Sequence, residues 1–171
     1  MESTMFAKTQ VLLIALAVGM AFGAGGPALA AAATGGAHES HGGHAASDAP
    51  LQLQLDHGKK WQTDAPLRQG MTEIRAAMAE AQAAIHKSSL APGEYAALAA
   101  RVEGEVETII RNCHLTEEAD AQLHEVLTQV LDGVETMKKG PARQEGAARI
   151  IGAVNAYGEY FDHPLWQPLA E

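Results

Sequence analysis

The sequence predicts an all-α protein: an antiparallel up-down-up-down four-helix bundle, preceded by a signal peptide and a disordered His-rich segment. Three observations carry this expectation. Apolar residues recur at spacings of three and four in four separate stretches between residues 64 and 161. Only a few residues join one stretch to the next, so consecutive helices of similar length have to reverse direction. Ahead of them lie one continuous apolar run, residues 11–22, and a stretch with no core-forming pattern, residues 31–50.

The run VLLIALAVGMAF is 12 residues long, too short to span a bilayer and right for the core of a signal peptide. Lys8 precedes it, and Ala28-Leu29-Ala30 supplies a small-residue cleavage signal. Glu2 departs from the usual basic start, and initiation at Met5 rather than Met1 gives a cleaner positive leader. Residues 1–30 are therefore expected to direct export, to the periplasm or beyond the cell, with no membrane span left after cleavage. Residues 31–50, AAATGGAHESHGGHAASDAP, have no apolar residue larger than alanine apart from Pro50, and such a segment is expected to be disordered.

The bundle is expected over 51–171, with short extended segments at both ends. LQLQLD (51–56) alternates with a period of two, which suggests an extended piece lying on the bundle. The first helix is expected from about Asp64 to Lys87, capped by Thr63 or Asp64. Pro66 falls in its first turn, where a missing N–H does no harm. Leu67, Met71, Ile74, Met78, Ala81 and Ile85 form its seam. The second runs from about Pro92 to Asn112, with Tyr95, Leu98, Val102, Val106, Ile109 and Cys113 inward. The third starts behind Thr116, with Glu117 and Glu118 complementing its positive end, and finishes near Lys138-Lys139-Gly140. The fourth opens at Pro141, carries Ile150, Ile151, Val154, Tyr157 and Phe161 inward, and stops before Pro164. The tail is expected to fold back, with Leu165 or Trp166 covering the open end, and Trp61 could do the same from the other terminus.

The net charge is −9, which disfavours phosphate backbones and leaves nucleic acid an unlikely class of partner. One cysteine, Cys113, permits no internal disulfide, and no Cys-x-x-Cys is present. No serine triad, glycine-rich phosphate loop or His-Glu-x-x-His occurs, so no enzyme activity is expected. The alternating Glu103, Glu105 and Glu107 read as a solvated face.

Metal binding has more support. His38, His41 and His44 recur at every third position in HESHGGH, where glycines let a flexible backbone close around a borderline ion. A low-complexity spacer is the plain alternative. If the helices alternate in direction, Met71, Cys113, His124 and His163 fall towards one end of the bundle, with Asp120 one turn before His124. Thiolate with imidazole suits zinc, and an added thioether favours copper(I). Each residue also has an ordinary structural role: Met71 and Cys113 as core fillers, His124 as a partner of Asp120, His163 as a pin for the tail.

The segments LDHGKKWQTDAPLRQGM, NCHLTEEADAQLH and YFDHPLW resemble a group of small exported bacterial proteins labelled DnrO-like, over about residues 51–168. That resemblance implies no established activity; it makes Cys113, His124 and His163 worth testing. The architecture is also similar to the periplasmic b-type cytochromes, which hold haem between a Met early in the first helix and a His late in the fourth. Met71 matches the first position in kind, while Tyr157, Gly158 and Phe161 stand where the histidine would be. Gly152 and Gly158 could make room for a flat ligand, or could permit close helix contact. A copper or zinc carrier, a ligand-free accessory to an envelope protein, and a haem-binding electron carrier therefore remain as three expectations.

Overall fold

The computed structural model describes residues 51–170. They form four α-helices and, among the described residues, no strand: α1 (Ala65–His86), α2 (Pro92–Asn112), α3 (Glu117–Lys138) and α4 (Arg143–Tyr160). Each helix packs on its neighbours in sequence, and α1 also meets α4. The expected signal peptide (1–30) and disordered His-rich segment (31–50) lie outside the described residues. No helix among the described residues is long and apolar enough to cross a membrane.

The helix starts follow the capping chemistry. Asp64 accepts the Leu67 N–H at 2.9 Å, and Thr116 accepts that of Ala119 at 3.3 Å. At α2 the Glu94 carboxylate reaches back to the Ala91 N–H at 2.7 Å. Helix α4 has no side-chain cap and begins two residues after the expected Pro141; Gly140, at φ 72°, turns the chain between α3 and α4.

The expected seams form the core. Leu67, Met71, Ile74 and Met78 of α1 face Val102, Val106 and Ile109 of α2, Val130 and Val134 of α3, and Ile150, Val154 and Tyr157 of α4, all buried. Close approach is built from glycine. A Cβ at Gly133 would lie 2.6 Å from the Gly146 carbonyl, and one at Gly146 would lie 2.6 Å from that of Gly133. Helices α3 and α4 therefore touch backbone to backbone, and their contact is the most extensive in the bundle.

The flanking segments attach as extended chain. Leu51 and Leu53 lie against the core, whereas Leu55 is exposed. Trp61 pairs with the end of α4: its N–H donates to the Tyr160 carbonyl at 2.8 Å, and the Asp162 N–H donates to its carbonyl at 2.8 Å.

Candidate functional site

Residues 61–64, before α1, meet the ends of two other helices. Thr63 Oγ1 donates to the Asp162 carbonyl at 2.6 Å, after α4. Asp64 Oδ2 accepts the His114 N–H at 2.6 Å, after α2. A cavity of about 250 Å³ opens beside them, lined by Asp56, Trp61, Asp64, His114 and Leu115 among others. Cys113, half-buried as the C-cap of α2, belongs to this end.

The electrostatics keep Cys113 a thiol. Burial pushes its pKa up to about 12, and the nearby carboxylates of Asp64 and Asp120 act in the same direction, with Asp64 also hydrogen-bonded to it. A thiol held this way is a poor nucleophile, and it ligates a metal only by giving up its proton beside two negative charges.

His163 is engaged on both ring nitrogens. Nδ1 lies 3.1 Å from Tyr157 Oη, and Nε2 lies 3.4 Å from Thr72 Oγ1. Thr72 donates its own hydroxyl to the Arg68 carbonyl at 2.8 Å. One proton arrangement satisfies the whole chain: Tyr157 donates to Nδ1, and Nε2–H donates to Thr72. Burial lowers the His163 pKa, Arg68 lowers it further, and Asp162 opposes them, so the ring favours this neutral state. The phenol of Tyr157 is fully enclosed, and burial raises its pKa strongly. In that arrangement the Nδ1 lone pair accepts a hydrogen bond and Nε2 carries the proton.

The predicted donors are therefore distributed as follows. Cys113 and His163 come to the same end of the bundle: Asp64 acts on the Cys113 thiol, and Arg68 acts on both His163 and its partner Tyr157. Met71 is wholly buried in the α1 seam. His124 and Asp120 are exposed on α3, as are His57, His86 and His114 on their own segments. Among the described residues no group of three His, Cys, Asp or Glu is placed to hold a metal ion. His38, His41 and His44 lie outside the described residues. The room expected for a flat ligand is filled or open: a Cβ on Gly158 would overlap the Trp166 indole, and Gly152 faces open space.

Two residues central to this geometry carried no motif. Asp64 was visible as a helix cap but not as the acceptor for α2's end. Asn155, a polar residue in an otherwise apolar stretch of α4, binds the Leu169 backbone twice. Its only sequence signal was an amide among alanine and valine. No protein-family model, no curated protein and no solved structure matches this chain.

Proposed function

We propose that this chain is an exported, non-enzymatic protein that binds copper or zinc for homeostasis or transfer. The ion sits on the histidines of residues 38–44, and the helical bundle is their anchor. The observation that carries the reading is HESHGGH itself, three imidazoles at every third position with glycines between them. Neutral imidazole is largely available as a ligand near neutral pH.

The state of the bundle's own donors supports placing the ion there. The Cys113 thiol is held protonated, both nitrogens of His163 have partners, and Met71 is sealed in the core. His124 is open to solvent and can act only as an accessory ligand.

The reading takes the helices to run up-down-up-down. The meetings of helix ends support that order: residues 61–64 touch 114 and 160–162, while Ser88, after α1, bonds Gln144, at the start of α4, at 2.8 Å.

Elemental analysis of untagged protein taken from the exported fraction tests the proposal. Copper or zinc at about one ion per chain is the expected result. Protein that arrives metal-free and takes up neither ion on addition overturns it, and leaves a bundle acting on an envelope protein partner.

A further inference from the structure

Beyond α4 the chain turns at residues 163–165 and runs back along the seam between α1 and α4. The helices hold its backbone. Arg75 Nε donates to the Gln167 carbonyl, and Gln82 Nε2 donates to the Ala170 carbonyl. The Asn155 amide donates to the Leu169 carbonyl at 3.0 Å and accepts the Leu169 N–H at 2.7 Å. A side-chain amide bound to both polar groups of one residue grips extended chain whatever side chain that residue carries, as sheet-edge recognition of peptides does.

Two side chains fix the register. Trp166 fills the recess over Gly158, with its ring centroid 5.0 Å from that of Tyr157, and Leu169 is buried. The segment thus stands to the groove as a peptide stands to a receptor, joined to it by a short hinge.

That hinge is strained. Leu165 adopts φ 63°, a left-handed conformation unfavourable for a branched side chain, and its side chain is 98% exposed, so no contact of its own offsets the strain. Straightening the hinge relieves the strain. Every groove contact of residues 166–170 would be the same if another chain supplied them.

We propose that the α1/α4 groove is an interaction surface for the C-terminal segment of a second copy of this chain. Two copies exchange tails about Leu165. The second copy is the occupant because it carries the same spacing of Trp166 and Leu169 that the recess and the Asn155 clamp fit, and because exchange of an identical element needs no new surface. At −9 per chain the copies repel each other, so added salt favours the exchange.

The test is Leu165→Pro in the full chain. Proline holds φ near −65°, which forbids the fold-back turn. Sedimentation velocity is expected to show dimer at concentrations where the parent chain is mostly monomer, and adding Asn155→Ala is expected to return it to monomer. A folded, monomeric Leu165→Pro chain with its tail open to carboxypeptidase overturns the proposal. A second measurement decides the matter even if that variant does not fold. In a Cys113→Ser background, chains carrying Gln82→Cys are mixed with chains carrying Ala170→Cys under mild oxidation. Disulfide-linked heterodimer is expected at about tenfold or more over a control that pairs Glu80→Cys with Ala170→Cys. Yield equal to the control overturns the proposal.

Discussion

Asp64 and His114 are fifty positions apart, yet the carboxylate of the first accepts the backbone N–H of the second at 2.6 Å. The other oxygen of the same carboxylate caps α1 through the Leu67 N–H. One side chain thus closes the start of α1 and ties down the chain leaving α2, and its charge helps to keep the Cys113 thiol protonated. Asp64→Ala is expected to destabilise the fold by about 1–2 kcal/mol in urea unfolding. Asp64→Asn keeps one amide oxygen for the cap but turns an N–H towards the His114 N–H, so it is expected to recover only part of that stability. In both variants the Cys113 pKa is expected to fall, which thiol titration reads directly.

The linkage for Cys113 follows from its raised pKa. A thiol that holds its proton more tightly in the folded chain stabilises the fold fully below the ordinary thiol pKa, and loses that contribution as pH rises towards about 12. Modification by a disulfide reagent at pH 7.5 is expected to be slower than for an unfolded control by about tenfold or more. Equal rates would show an accessible, ordinary thiol.

His163 has the opposite sign. Its folded-state pKa lies below the ordinary value of 6.5, so between the two the unfolded chain binds more protons. Stability from this group is complete above the ordinary value and declines as pH falls below it. Protonation also ends acceptance of the Tyr157 hydroxyl at Nδ1. The exchange protection of residues 165–170, taken relative to the intrinsic amide rate at each pH, is expected to fall between pH 7 and pH 5, and His163→Gln is expected to flatten that dependence.

Gly158→Ala tests the Trp166 recess. In an exposed helix, alanine for glycine is favourable by about 1 kcal/mol. Here the new methyl would occupy the space of the indole, so the tail is expected to lift and residues 165–170 to lose exchange protection. At the α3/α4 contact, Gly146→Ala is expected to cost about 1–3 kcal/mol, because the added Cβ meets backbone that cannot move aside.

The helical seams were legible in the sequence because each repeats a simple pattern. Leu67, Met71, Ile74 and Met78 were expected inside and are fully buried. Thr116 and Pro66 marked helix starts for local reasons, and local chemistry is what a sequence displays. The neighbourhood of Cys113 was less legible. Its half-burial at a helix end and the carboxylate of Asp64 beside it depend on where α2 stops against α1. His124 was expected among the donors at one end of the bundle, but it is exposed on α3. The Trp166 recess was half legible. Gly158 suggested free space in α4, whereas the space belongs to a residue eight positions further along the same chain.

The proposed function places metal affinity on His38, His41 and His44. Calorimetric titration of the exported, tag-free chain with copper and zinc tests it most directly, alongside a variant with those three histidines replaced by alanine and one combining Cys113→Ser with His124→Ala. Affinity is expected to fall by about a hundredfold or more in the triple variant and to change by less than about threefold in the other. Unchanged binding in the triple variant, or loss only in the Cys113 and His124 variant, would move the site off these histidines.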